Sequence, residues 1–374
     1  MKSFDAIVVG LGAMGSAALS TLARRGYRVL GLEQFVLGHH RGSSHGRSRI
    51  IRTAYYEHPA YVPLAKKAFD LWDRLAELSG EALLRRQSCL SLGSAESSMI
   101  RGVLQAAAEH DLPIELLNPV QIAERFPMFR IEPKTVGVLE QQAGVLAVEK
   151  GVLAQLKVAE STGFATVLSE TVLVNVIHRG GRVVVETTRG EFECRQLIIT
   201  AGAWVKSLVR EANLPLTIMR QVQHWFAKPH GQELQFPIFL YETERGAFYG
   251  LAEEPSEFGW KVSQHYGAPE LPHPDEVDWS VSDGDVRPVR EFLHRQMPGV
   301  DPTPLASEVC QYTLTPSRHF LIDRLPDQPN VTVACGFSGH GYKFAPVVGE
   351  LLADLAFDKS SPWHADIFRY NAHF

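Results

Sequence analysis

Three glycines near the amino terminus have the spacing of a phosphate-binding turn: Gly10-Leu11-Gly12-Ala13-Met14-Gly15 fits G-x-G-x-x-G. The first glycine permits a tight bend, the second lets the backbone approach a pyrophosphate, and the third lets a helix pack against a strand. The helix that follows turns its N–H groups and positive dipole end toward the phosphates. Glu33 lies at the end of the next β-type run, where an acid accepts hydrogen bonds from a ribose hydroxyl. The context points to a bound dinucleotide, although the fingerprint alone does not separate NAD from FAD. A second cluster, Gly336-Phe337-Ser338-Gly339-His340-Gly341, opens a helix far along the chain. Its N–H groups suit negative charge on a reduced flavin ring, which favours FAD.

The other reactive side chains are ambiguous taken singly. Cys89, Cys194, Cys310 and Cys335 form no CxxC pair and no zinc spacing, and each reads first as a small buried hydrophobe. Arg52 lies in a region that also holds Arg41, Arg47 and Arg49, where a surface salt bridge is the plain reading. Lys261 on a strand would ordinarily be solvated, and Tyr249, His265 and His340 would ordinarily be packed aromatics.

The elements that must position these residues follow from the pattern. Phe4 to Val9 reads as a strand, Ala17 to Arg25 as a helix ended by Gly26, and Tyr27 to Glu33 as a second strand. His39 to His45 reads as a loop. Tyr61 to Leu78 and Met99 to His110 read as amphipathic helices. Val183 to Thr188 and Glu191 to Leu197 read as strands joined by an Arg189-Gly190 turn, and the stretch from Phe236 to His265 as several short strands. Pro269 to Pro288 is Pro-rich and acidic, which predicts a surface loop. Phe320 to Asp323 and Val331 to Cys335 read as strands, Gly336 to Gly341 as a turn, and Tyr342 to Phe357 as a closing helix. Nucleotide-binding features at both ends with a β-rich middle predict two interleaved domains.

Composition sets outer bounds. The chain has 374 residues, 45% hydrophobic and 21% charged, the balance of a soluble globular enzyme. At roughly 150 residues per domain this suggests two domains. The net charge of -5 argues against a general nucleic-acid binder. Sparse cysteines, no leader pattern and no apolar run near the ~20 residues of a membrane span suggest a cytoplasmic protein.

Three separate stretches carry a resemblance. Gly42-Ser43-Ser44-His45-Gly46-Arg47-Ser48-Arg49-Ile50-Ile51-Arg52, Val309-Cys310-Gln311-Tyr312-Thr313, and Gly336 through Phe344 resemble motifs of the monomeric sarcosine oxidase and N-methyltryptophan oxidase family. Ile199 to Trp204 resembles that family's second FAD-contact stretch. The resemblance implies an α/β fold of the D-amino-acid-oxidase type, with a Rossmann-type FAD-binding domain interleaved with a β-sheet-rich, α+β substrate domain. Residues 1–85, 145–215 and 315–374 would form the first, and 86–144 and 216–314 the second.

It also implies roles. FAD would contact Gly10, Gly12, Gly15, Glu33, Ser43, Ser44, Gly202, Gly339, Gly341 and Lys343, with Cys310 joined through sulfur to the flavin 8α-methyl. Arg52 and Lys343 would hold a substrate carboxylate bidentately and as a point charge. Arg49 would set the ring's electrostatics from the other flavin face. Lys261 would stabilise superoxide, Tyr249 and His265 would line the substrate cavity, and His340 would lie near the flavin. No metal is expected. The implied activity is oxidative demethylation of a secondary amino acid by O2, giving amine, formaldehyde and H2O2, by a monomer without nucleic-acid or membrane partners. Cyclic imino acids such as pipecolate or proline, glycated amino acids, and a dehydrogenase passing electrons elsewhere stay open. Two departures stand out. The sarcosine oxidases usually carry His-His-Gly-Asp where this chain has Ser44-His45-Gly46-Arg47, a local change of two charge units. The stretch from Leu251 to Phe258, which contains Glu253, Glu254 and Glu257, differs in length and charge from the sarcosine oxidases and is nearer the N-methyltryptophan oxidases.

Overall fold

A computed structural model describes residues 1–229, 236–271 and 273–374. Five parallel strands form the centre of an eight-stranded sheet, in the order Gln328–Cys335, Gly190–Ile199, Lys2–Val9, Val29–Leu32, Ala165–Leu168. These strands are nearly continuous in apolar residues, as a sheet covered on both faces requires. One cover is the helix Ala13–Arg24, which packs against Val148–Ser161 and Ala345–Ala356. Its approach to the last helix is close: a Cβ on Gly349 would stand 2.7 Å from the Ala17 backbone. The chain's first and last helices are thereby locked together.

The second large sheet has nine strands, with Thr217–Phe226 flanked by Trp260–His265 and Pro304–Leu314. Gly246–Ala252, Ile238–Thr243, Cys89–Ser94, Thr135–Glu140 and Ile114–Leu117 continue it outward. A three-stranded sheet of Ser48–Arg52, Ala143–Ala147 and Leu84–Arg86 lies at the crossing points of the chain.

Pleating decides which side chains share a face. In the nine-stranded sheet Trp225 lies opposite Lys261, Gln221 opposite Cys310, Tyr249 opposite Ser263, and Leu251 opposite Lys261. Gln223, Tyr249, Lys261, His265, Cys310 and Tyr312 therefore belong to one face. The 39–47 loop is tied down over that face. His45 Nε2 meets Val309 O at 2.8 Å, the Ser43 hydroxyl donates to Gln311 O, and Glu149 accepts from the N–H groups of Gly46 and Arg47 at 2.7 and 3.2 Å.

One expectation fails. Pro269 to Pro288 is not a loop throughout: Glu270–Leu271 pairs as a short strand, and a helix runs from Asp283 to Gln296 with Pro288 inside it. Pro272 lies outside the described residues. A reciprocal capping box between Ser282 and Asp285 starts the helix, and Val286, Val289, Phe292 and Leu293 bury its apolar side. That packing outweighs the hydrogen bond lost at Pro288. The Gly336–Gly341 turn also leads into its helix less directly than expected, through a single 3-10 turn, Tyr342–Phe344.

Candidate active site

A cleft with about 1500 Å³ of open space runs along the carboxyl ends of the parallel strands. Its course past the ends of several parallel strands, from Val9 and Leu32 to Thr200 and Cys335, suits an elongated dinucleotide. Gly10, Gly12, Glu33, Ser43, Ser44, Gly202, Gly339 and Gly341 line it. The glycines are sterically required: a Cβ on Gly15 would stand 1.8 Å from Gly10 O, and one on Gly10 2.8 Å from Thr200 O. Gly15 itself packs behind the cleft. The helix Ala13–Arg24 has no side-chain cap on Gly12 and no acid in its first turn, so its N-terminus suits an anion. Glu33 is buried and accepts from the N–H groups of Leu11 (2.9 Å) and Phe35 (3.1 Å), while Ser44 Oγ accepts from Ala13 N (3.0 Å). These residues fit a bound dinucleotide.

A second cavity of about 700 Å³ shares Arg49, Tyr312, Gly339 and Tyr342 with the cleft. Its remaining wall includes Arg52, Lys343, Tyr249, His265, Cys310 and His340. Thus the side chains expected to hold a carboxylate do meet beside the cleft. Lys343, expected also among the cofactor contacts, lines the smaller cavity and not the cleft.

Charges in this cavity are strongly conditioned by burial. Arg52 donates to Ala54 O (2.6 Å) and to Glu57 Oε2 (2.7 Å). Burial works against ionising Glu57, but the charges of Arg52, His340 and Lys343 win and hold it at about 2. Lys343 Nζ donates to His340 O (2.7 Å) and Tyr55 Oη (3.2 Å). Burial first, then the Arg52 charge, pull its ammonium down to about 7. Burial likewise lowers His265 to about 4 and His340 to about 3, so both imidazoles are neutral near pH 7. His340 Nδ1 lies 2.7 Å from Tyr55 Oη and its Nε2 3.1 Å from Arg318 O. Burial raises Tyr249 to about 12, keeping its hydroxyl protonated.

Arg49 bridges the two spaces, donating to Ser48 O (2.8 Å), Gln223 Oε1 (3.0 Å) and Ser43 O (3.1 Å). All four cysteines are free and buried. Cys310 lines the smaller cavity and Cys335 the cleft; burial raises the Cys310 thiol, with Arg49 and Lys261 opposing. Lys261 lines neither space. Its ammonium lies beneath the loop, donating to Gly46 O, Ser48 O and Ser48 Oγ. Among the described residues no cluster suited to a metal ion occurs, and no helix is long and apolar enough to cross a membrane.

Sequence reasoning missed Glu57, Tyr55, Gln223 and Tyr312. Glu57 had a usable signal, an acid five residues after Arg52. Gln223 had none: it is 2% exposed, and its Nε2 has no partner among the described residues.

Comparison with known proteins adds an independent line. A family model described as FAD dependent oxidoreductase matches residues 5–355. A monomeric sarcosine oxidase of Streptomyces avermitilis is 38% identical over 361 residues, 95% of this chain and 94% of its own. An N-methyl-L-tryptophan oxidase of Salmonella enteritidis is 34% identical over 370 residues, 98% of each chain. Among solved structures, NikD, described as an unusual amino acid oxidase essential for nikkomycin biosynthesis, superimposes with a TM-score of 0.86 at 22% identity, covering 98% of this chain and 96% of its own. At that identity the likeness speaks for the fold alone.

Proposed function

Because this chain belongs to the FAD-dependent oxidoreductase family, we propose that it oxidises the C–N bond of a small secondary amino acid of the sarcosine or N-methyl amino acid class, with O2 as acceptor and with amine, formaldehyde and H2O2 as products. One observation carries this reading: Arg52 and Lys343 line a cavity that shares its wall with the dinucleotide cleft. The names of the relatives support the substrate class.

Gly10, Gly12, Gly15, Glu33, Ser43, Ser44, Gly202, Gly339 and Gly341 would hold FAD, with Cys310 placed for covalent attachment. Bound FAD would supply the two-electron acceptor for the amine and the route of those electrons to O2. Arg52 and Lys343 bind the carboxylate by charge-assisted hydrogen bonds and so orient the α-amino group toward the shared wall. The cations Arg49, Arg52 and Lys343 disfavour a substrate ammonium and so lower the pKa of its amine, exposing the lone pair that the oxidation needs. Tyr249 and His265 close the far side of the cavity. Lys261, a buried cation beneath Ser48 and Arg49, serves the oxygen step. The strand membership of the two large sheets supports assigning residues 1–85, 145–215 and 315–374 to the FAD-binding unit, with 86–144 and 216–314 in the substrate unit. The protein acts as a monomer in the cytoplasm.

A peroxide-coupled assay across sarcosine, larger N-methyl amino acids, pipecolate, proline and glycated amino acids tests the reading. Peroxide release with the N-methyl compounds is expected. Reduction of an artificial acceptor without any peroxide would identify a dehydrogenase instead.

A further inference from the structure

A fully buried ammonium tends to shed its proton unless an opposite charge stands nearby. Lys261 is 1% exposed, and its hydrogen bonds run to neutral acceptors: Gly46 O at 2.6 Å, Ser48 O at 3.0 Å and Ser48 Oγ at 3.1 Å. The nearest opposite charge comes from Glu253, itself 4% exposed, whose Oε1 lies 3.8 Å from Lys261 Nζ. The same oxygen accepts from Ser48 Oγ at 2.5 Å and from Trp225 Nε1 at 2.9 Å. Ser48 therefore bridges the pair, accepting from the ammonium and donating to the carboxylate. The Trp225 ring, 5.0 Å from Lys261 Nζ, forms an adjoining wall.

Other groups face the ammonium from each neighbouring element. Arg49, on the Ser48–Arg52 strand, disfavours its charge. Glu149, in the first turn of Val148–Ser161, and Cys310, on Pro304–Leu314, favour it but act less than Glu253. Burial and Arg49 together bring Lys261 to about 7 despite these partners.

We propose that Glu253 is the positioning residue of Lys261: through Ser48 it fixes the ammonium beneath the 46–49 loop and preserves part of its charge at neutral pH. The proposal rests on the oxygen role assigned to Lys261 and names what maintains it. Glu253 belongs to the acidic 251–258 stretch, whose length and charge differ from those of the sarcosine oxidases.

The test uses holoenzyme grown with 13Cε-labelled lysine, in which the Lys261 resonance is the one lost in Lys261→Met. In Glu253→Gln the midpoint of that resonance should fall by about one to three pH units. Reaction of the reduced protein with O2 should slow at pH 7.5 and recover toward lower pH, where Lys261 regains its proton. Glu253→Asp, which retracts the carboxylate by one methylene, should shift the midpoint in the same direction by less and covers the case in which Glu253→Gln does not fold. An unchanged midpoint in the folded variants overturns the proposal. If the midpoint falls but Lys261→Met reacts with O2 at the parent rate, the pairing stands and the oxygen role of Lys261 fails.

Discussion

Replacing Glu57 by Gln should weaken the ligand-free protein and tighten its grip on a carboxylate. Arg52 and Glu57 are joined at 2.7 Å with side chains only 4% and 11% exposed, so a substrate carboxylate must share or displace an existing anion. A hydrogen bond to a charged group is worth roughly 1.5–3 kcal/mol. Removing the resident competitor should therefore strengthen carboxylate binding by about ten- to a hundredfold. The opposite sign applies to folding. Deleting one partner of a buried ion pair leaves an uncompensated charge, at a cost of about 3–5 kcal/mol. The Gln oxygen can still accept from the guanidinium, which places Glu57→Gln toward the lower end. Because Glu57 is held at about 2, the competition is constant from pH 5 upward and the effect should not depend on pH there.

The assay pairs melting temperature with titration by an amine-free carboxylate such as propionate. Without ligand, Glu57→Gln should melt below the parent; with saturating ligand, the gap should close. Arg52→Gln should abolish the tightening when combined with Glu57→Gln. If Glu57→Gln binds propionate no better than the parent, Glu57 is not a competitor and Arg52 does not receive the carboxylate.

Lys343, brought to about 7, makes binding of such a carboxylate pH-dependent. Only the charged form attracts it, so affinity should fall about tenfold per unit above pH 7 and become flat in Lys343→Met; a slope surviving in that variant would reassign the titration. Acid-precipitated protein should stay yellow in the parent and turn colourless in Cys310→Ala, and a colourless parent pellet would refute covalent attachment. Lys261→Met should slow oxygen reaction about a hundred- to a thousandfold, if one such contact is worth about 3–4 kcal/mol, as timed by stopped flow apart from anaerobic reduction. His45, His224 and His265 are lowered by burial to about 4 and His340 to about 3. Between the ordinary histidine value near 6.5 and these, the unfolded chain binds more protons, so stability present above about pH 6.5 should be lost on acidification toward pH 4. A melting temperature flat from pH 6.5 to 4.5 would contradict that.

The dinucleotide cleft was legible because its chemistry is backbone chemistry. Gly10 and Gly15 are dictated by backbone contacts under 3.0 Å that leave no room for a side chain, and such demands print directly into sequence. The hairpin around Arg189-Gly190 was legible for a similar local reason. The second cavity was legible only through its motifs: Arg52, Lys343, Tyr249, His265, Cys310 and His340 were named by resemblance, whereas Gln223 and Glu57 were not. Gln223 and Cys310 come from strands that lie far apart in sequence, and only the Thr217–Phe226 to Pro304–Leu314 register puts them on one face. The Asp283–Gln296 helix is masked in the sequence by Pro288 and the acidic, Pro-rich stretch before it, although the Ser282–Asp285 capping signal marks its start. Lys343 was recognisable from its motif, yet its side cannot be read from a motif; the packing of Tyr55 and His340 turns it to the substrate cavity.

Arg47 and the acidic 251–258 stretch, two separate departures in sequence, meet in space. The Arg47 guanidinium lies 3.9 Å from the Phe258 ring and 5.1 Å from that of Trp225, and it lines neither cavity. Lys261 meets the same Trp225 ring, and Arg49 stands one residue beyond Ser48. Three cations thus gather around the 46–49 loop. Glu149, bound to two loop N–H groups, answers one; Glu253, bound to Ser48 and Trp225, answers a second. Without Glu253 only Glu149 would answer the three cations, and the group most easily relieved of its charge would be Lys261, since a lysine loses its proton where an arginine does not. Arg47→Asp in a Glu253→Gln background should restore the Lys261 midpoint that Glu253→Gln alone depresses. A double variant whose midpoint stays depressed would show that position 47 is electrostatically remote and that Glu253 acts on Lys261 alone.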